Sequence, residues 1–189
     1  NICHAQLVAR DISSTIPFAL RMKFTESRRS GIRKATRAGV TVCESKNYAT
    51  FWKILNDNLT NKYDTHPVHS LEELELLHNH FPKSIRLFMA YNNKGIAIGG
   101  TVVYEMQQVI HTQYISASKE GKKLGALDFL FDYIINVVYA DYKGYFDFGK
   151  STEEQGKVLN APLIFQKEGF GGRGVCYDCY TWETKSVIE

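Results

Sequence analysis

Residues 85–140 read IRLFMAYNNKGIAIGGTVVYEMQQVIHTQYISASKEGKKLGALDFLFDYIINVVYA, and this stretch decides the fold. Ile85 to Tyr91 has strand composition, and Asn92-Asn93-Lys94-Gly95 is a hairpin turn. Ile96 to Tyr104 is a second strand, interrupted by Gly99-Gly100, and Val109 to Ser116 is a third. Together they predict an antiparallel meander. The period then changes. Ala117 to Lys123 reads as a loop, and a helix is expected from about Gly125 to Ala140. Leu127, Leu130, Phe131, Ile134, Ile135 and Val138 supply its apolar face.

Upstream, Tyr48, Phe51, Trp52, Leu55 and Leu59 fall at i, i+3, i+4, i+7 and i+11, which predicts an amphipathic helix over about 47–59. Ser70 and Glu73 form a capping box for a helix through about His80, which Pro82 stops. Thr25 to Ala38 reads as a short basic helix closed by Gly39, followed by a short strand at Val40–Val42. Residues 1–24 show only a short strand at Leu7–Ala9 and a turn near Ile16-Pro17-Phe18. They are set apart as an N-terminal segment that admits reading as the tail of a preceding domain. Downstream, Tyr145–Phe148 is a short strand, Ser151–Pro162 a loop, Ile164–Phe170 a helical candidate and Val175–Trp182 a final strand. The order predicts a mixed α/β domain over 25–189, with a mainly antiparallel central sheet flanked by helices.

With 189 residues, one large domain is the expected organisation. Eleven Phe, 11 Tyr and 2 Trp exclude a disordered chain. No apolar run approaches the roughly 18 residues of a membrane span, so no transmembrane helix is expected. No signal peptide is visible in residues 1–10, and the absence of an initiator Met reads as a fragment or processed product. The net charge of +3 is too small to imply nucleic acid. The excess is local: Arg21 to Lys46 holds eight Lys/Arg against two Glu. Cys3, Cys43, Cys176 and Cys179 are expected to be ordinary buried or half-buried thiols of a reducing compartment, with cytoplasm as the default. Cys176-x-x-Cys179 lies in a strand-like stretch that would send the two to opposite faces, and no second C-x-x-C completes a zinc site. The pairs His66/His69 and His78/His80 lack matching acidic or thiol ligands and read as solvated histidines, so no metal is expected.

The chemistry-bearing candidate is the segment Ser118-Lys119-Glu120-Gly121-Lys122-Lys123-Leu124-Gly125-Ala126. Glycines admit close backbone approach, a helix start offers N–H groups, and Lys122 and Lys123 add charge, which suits a pyrophosphate cradle. No Walker motif is present. A G-x-S-x-G elbow and a convincing Cys/His pair are also missing, so a dedicated protein nucleophile is not expected.

Three segments in order carry a resemblance: RRSGIRKATRAGV over 28–40, the 109–140 loop and helix, and FDFGKST over 146–152 followed by KEGFG over 167–171. From about residue 25 to the C-terminus the chain resembles the GNAT-type acyltransferase fold, in its Fem-like branch, which takes in the BioF2-like acetyltransferase domains. The resemblance implies an N-acyltransferase that moves an acyl group, acetyl by default, from acetyl-CoA or another acyl-CoA to a small-molecule or peptide amine. It implies cofactor contacts at Lys122, Lys123, Gly125 and Ala126. Lys167 is the expected electrostatic catalyst, its ammonium facing the cleft, and Asp147 is expected to orient the acceptor amine or take its proton. His111, Tyr114 and Ser151 are expected to line the acceptor site. The alternative is a Fem-type aminoacyl transferase that draws on aminoacyl-tRNA to extend a cell-wall peptide precursor. Other readings are a nucleic-acid-binding module using Arg28, Arg29, Arg33, Lys34 and Arg37, and a non-catalytic half-domain. Fem-like proteins often hold two such domains in tandem, which implies a second GNAT-like domain as partner.

Overall fold

The computed structural model describes residues 5–184. Its centre is a seven-stranded sheet in the order β2-β3-β4-β5-β6-β1-β9. The strands are β1 (Gln6–Pro17), β2 (Thr41–Ser45), β3 (Ile85–Tyr91), β4 (Ala97–Glu105), β5 (Val109–Ala117), β6 (Tyr145–Lys150) and β9 (Arg173–Thr181). A separate two-residue hairpin joins β7 (Thr152–Glu153) to β8 (Val158–Leu159), where the sequence suggests a plain loop. The helices are α1 (Glu26–Arg37), α2 (Tyr48–Tyr63), α3 (Leu71–His80), α4 (Lys119–Leu124), α5 (Ala126–Tyr133) and α6 (Ala161–Glu168). α5 runs on into a π turn at Ile134–Val138.

The expected meander forms as β3-β4-β5, antiparallel throughout. Side chains alternate between two cores, as a pleated strand requires. Leu87 and Val102 face α2 and α3, whereas their neighbours Phe88 and Val103 face α5. Beneath α5, Phe131 meets Phe146, Phe148 and Phe170 edge to face at 5.1–6.1 Å. Burying each such ring is worth roughly 1.5–3 kcal/mol. Asn47 caps α2 through Thr50 N–H, and the Ser70/Glu73 capping box opens α3.

Three expectations are corrected. Residues 6–17, which the sequence sets apart, form a twelve-residue strand inserted between β6 and β9. Ser14 and Ile16 point into the core while Ser13 faces the other way, so the polar Ser13-Ser14 pair conceals an alternating strand. The stretch 117–123 is not a loop: Ser118 Oγ accepts from Gly121 N–H and starts α4. Cys43, Cys176 and Cys179 are exposed rather than buried, because they lie on β2 and β9, the two edges of the sheet. Cys3 lies outside the described residues.

Two glycines bring α1 against α5. A Cβ on Gly31 would fall 1.8 Å from Asp128 Oδ2, and one on Gly125 would fall 2.6 Å from Gly31 O. Gly125 also has φ +76°, so it ends α4 in the left-handed region. The close approach forms the half-buried Arg28–Asp128 ion pair at 2.6 Å, with the guanidinium over the Phe170 ring. Burial pushes the Asp128 carboxyl above its ordinary range despite Arg28.

Candidate active site

β5 and β6 are the one parallel pair among the described strands. They pair across three rungs, Val109↔Tyr145, Ile110↔Phe146 and His111↔Asp147, and then diverge. A register shift in the β4–β5 pairing falls just past the last rung, opposite Val102/Val103. On β6, Gly149 takes φ +74°, a conformation that ends extended pairing. The splay leaves a cavity of about 300 Å³, lined by Ile115, Ser116 and Ala117 of β5, Phe148 of β6, and Leu163 and Lys167 of α6. Asn58 and Lys62 of α2 and Phe131 of α5 also line it, so the cavity reaches both faces of the sheet. It shares Asn58, Lys62, Ala117 and Lys122 with a groove of about 620 Å³ that runs between α2, the start of β4 and α4.

His111 and Asp147 occupy the last rung before the splay. Both face the α2 side, since their neighbours Ile110, Phe146 and Phe148 belong to the α5 core. His111 Nδ1 lies 2.7 Å from Asp147 Oδ2, and Ser13 Oγ donates to Asp147 Oδ1 from β1. Asp147 is 7% exposed. Burial pushes its carboxyl up, but hydrogen bonds from His111, Ser13 and the Gly149 amide outweigh that and hold it below the usual carboxylate range. With both oxygens engaged, Asp147 meets His111 rather than the solvent.

Lys167 is buried at 5% exposure. Its ammonium donates to Gly149 O and Lys150 O at 2.8 Å each and to Ser151 Oγ at 2.9 Å. These bonds use all three N–H donors, so the lysine clamps the end of β6 while its stem walls the cavity. Burial lowers its pKa to about 8. Ser151 is 1% exposed, and its hydroxyl oxygen accepts from Lys167.

The expected cradle residues separate. Lys122 lines both the cavity and the groove and donates to Asn58 Oδ1. Lys119 and Ser118 also line the groove, whereas the exposed Lys123 lines neither space. Gly121 packs under the Ile98 carbonyl, where a Cβ would sit 2.0 Å from the oxygen. Gly125 and Ala126 face α1 and the β3–β4 core. The glycines that suggest a ligand loop are packing positions.

Tyr114 lies edge-on to Trp52 and bonds His69 Nδ1 through its hydroxyl, fastening the α2–α3 connection to β5. His69 and His78 are half-buried rather than solvated, and His78 Nδ1 lies 2.8 Å from Ile85 O. Sequence reasoning misses His69, Asn58 and Lys62. The last two sit on the polar side of the α2 stripe, where any solvated face carries such residues. Among the described residues no group of three or more His, Cys, Asp or Glu is placed to hold a metal, and no helix is long and apolar enough to cross a membrane.

Among the described strands the sheet is antiparallel but for one pair, and this mixed α/β arrangement agrees with a GNAT-like acyltransferase fold. The chain belongs to the acetyltransferase (GNAT) domain family, whose model matches residues 22–155. Among solved structures it is similar to FemX, with TM-score 0.68 and 13% identity over 88% of this chain and 61% of that one. It is similar to L-PGS from Bacillus licheniformis, with TM-score 0.66 and 12% identity over 95% and 63%. A structure described as a possible acetyltransferase from Clostridium difficile 630 gives TM-score 0.51 and 13% identity over 79% and 99%. The chain thus spans about three-fifths of the length of FemX and L-PGS. A search of the curated proteins finds no match.

Proposed function

We propose that this chain transfers an acyl group from a coenzyme A thioester to an amine. The observation that carries the reading is the cavity through the β5–β6 splay, continuous with a groove bearing Lys62, Lys119 and Lys122. An apolar slot flanked by Ile115, Phe131 and Phe148 suits the narrow pantetheine arm, and the lysines suit the phosphates. Asp57 and Glu120 share the groove, and Glu120 is held by Asn92.

The amine attacks the thioester carbonyl at the inner end of the slot. Fixing both reactants there is worth ~7–11 kcal/mol of barrier. Backbone amides on the edge of β5 released by the splay are the donors we assign to the developing oxyanion, at ~3 kcal/mol for a good one. Lys167 keeps the β6 wall of the slot in place. The exposed thiols of Cys43, Cys176 and Cys179 fit a reducing, cytoplasmic setting.

The Fem-like resemblance and the exposed Arg29, Arg33 and Arg37 of α1 favour a second reading, in which the donor is an aminoacyl ester of tRNA. Calorimetry separates the two. Acetyl-CoA should bind the wild type, and Lys119→Ala with Lys122→Ala should weaken it about tenfold, ~1.4 kcal/mol. An unchanged Kd in the double variant counts against the groove. Silence toward acetyl-CoA combined with steeply salt-dependent tRNA binding promotes the second reading.

A further inference from the structure

We propose that His111 is the general base that takes the proton from the acceptor amine, with Asp147 as its positioning residue and Ser13 fixing Asp147 in turn. The inference rests on the acyl-transfer reading above. It is carried by the geometry of the last β5–β6 rung. Parallel register sets His111 beside Asp147, and the 2.7 Å contact from Nδ1 to Oδ2 fixes the ring. With an ionised carboxylate as partner, Nδ1 is the donor, so the neutral ring presents the lone pair of Nε2. Among the described residues Nε2 has no hydrogen-bond partner, and the His111 side chain is 28% exposed. Asp147 cannot meet the amine itself because His111, Ser13 and the Gly149 amide occupy its oxygens. The cavity lies further along the same two strands, walled by Ile115–Ala117 of β5 and by Phe148, the residue after Asp147 on β6; His111 and Asp147 do not line it, so the acceptor amine is placed between its inner end and Nε2.

The step balances without a further reactant. The amine nitrogen forms a bond to the thioester carbonyl carbon, and its proton goes to Nε2 while the carbonyl π pair moves onto oxygen. Collapse of that intermediate re-forms C=O and breaks C–S. The thiolate leaves and takes the proton back from the imidazolium, giving an amide, a thiol and neutral His111. Asp147 on β6 and Tyr104 on β4 face the ring, the Tyr104 centroid lying 6.5 Å from that of His111, and Lys167 on α6 and Tyr177 on β9 feel the charge of Asp147.

The test uses two donors, acetyl-CoA and p-nitrophenyl acetate, with glycinamide and ethylamine as probe acceptors and the amide product read by mass spectrometry. The ester probes the base without calling on the lysine groove. His111→Gln and His111→Ala should lose at least 100-fold in kcat with either donor. Their acetyl-CoA Kd should stay within threefold of wild type, and thermal melts verify that both fold. Added imidazole should restore His111→Ala at least tenfold and leave the wild type unchanged. Asp147→Asn should lower kcat and remove the downfield Nδ1 proton signal of His111 in the NMR spectrum. Variants that keep kcat within threefold of wild type overturn the inference and leave the acyl-CoA reading standing. Aminolysis of the ester that depends on His111, with no binding of acetyl-CoA, upholds the base and overturns the acyl-CoA donor. A wild type that accelerates neither donor overturns both.

Discussion

Alanine at Gly125 separates a packing glycine from a ligand glycine, and Gly95 supplies the control. Both residues sit at positive φ, +76° and +74°, so alanine at either costs ~1–2 kcal/mol for the left-handed backbone. Around Gly95 a Cβ meets nothing within 4 Å, so that term is the whole cost. At Gly125 the Cβ would stand 2.6 Å from Gly31 O, 3.1 Å from its carbonyl carbon and 3.2 Å from its Cα. These are backbone atoms of α1 and cannot rotate aside, so the helices must part. Overpacking of this kind adds ~1–3 kcal/mol. Movement of α1 also stretches the 2.6 Å Arg28–Asp128 pair in its half-buried setting. Urea unfolding should therefore place Gly125→Ala ~2–5 kcal/mol below wild type and Gly95→Ala only ~1–2 kcal/mol below. If the two variants differ by less than ~0.5 kcal/mol, the α1–α5 contact is not what Gly125 is for. A Gly125→Ala protein as stable as Gly95→Ala but deaf to acetyl-CoA would restore the glycine to a ligand cradle.

Lys167→Met should destabilise the fold by about 2 kcal/mol, since it strands two carbonyls and a hydroxyl that the ammonium now satisfies; a melt unchanged from wild type refutes the clamp. Because the native ammonium releases its proton near pH 8 and the unfolded one near 10.5, the unfolded chain binds more protons in that window. Wild-type stability should thus gain from this group as pH rises from 8 to 10.5, and Lys167→Met should lack that gain in urea titrations run across the window. The sign is opposite for Asp147, whose carboxyl is held below 3.8 in the native state. Its contribution is present at neutral pH and is lost as pH falls through the native pKa, so Asp147→Asn should flatten the acid limb of the stability curve, and an unaltered limb would show that the network is not coupled to folding. Phe131→Ala should cost ~3–5 kcal/mol by emptying the space between Phe146, Phe148 and Phe170; a loss under 1 kcal/mol in chemical denaturation would mean that this cluster does not anchor α5.

Much of the architecture is legible because it rests on local periodicity. The stripe from Tyr48 to Leu59 and the Ser70/Glu73 box place α2 and α3 within a few residues, although α2 runs on to Tyr63. The change of period at residue 117 announces the meander and the helix after it. β1 is not legible, because its pairing partners lie at the far end of the chain and its core-facing positions include Ser14. Glycines mislead for a related reason. Gly121 and Gly125 look like loop residues, yet each is required by a backbone from elsewhere, Ile98 in one case and Gly31 in the other. At the site, His111, Asp147 and Lys167 each stand out as chemistry-bearing side chains. That His111 and Asp147 share a rung depends on parallel register, which no local pattern encodes. That Lys167 is fully hydrogen-bonded depends on where the end of β6 lies.

The insertion of β1 between β6 and β9 also sets the order in which the molecule can assemble. Ser13 and Asp147 are separated by 134 positions, and Arg10 and Asp178 by 168. β3 to β5 can pair soon after they leave the ribosome, because their contacts close short loops. β1 is made before them and must wait, unpaired, until β6 and then β9 have been synthesised. Long-range pairings of this kind slow folding and leave an open sheet edge during the delay. Since the Ser13–Asp147–His111 arrangement needs both β1 and β6, a nascent chain halted before β6 can hold a formed meander in which His111 is present but has neither Asp147 nor Ser13 to orient it.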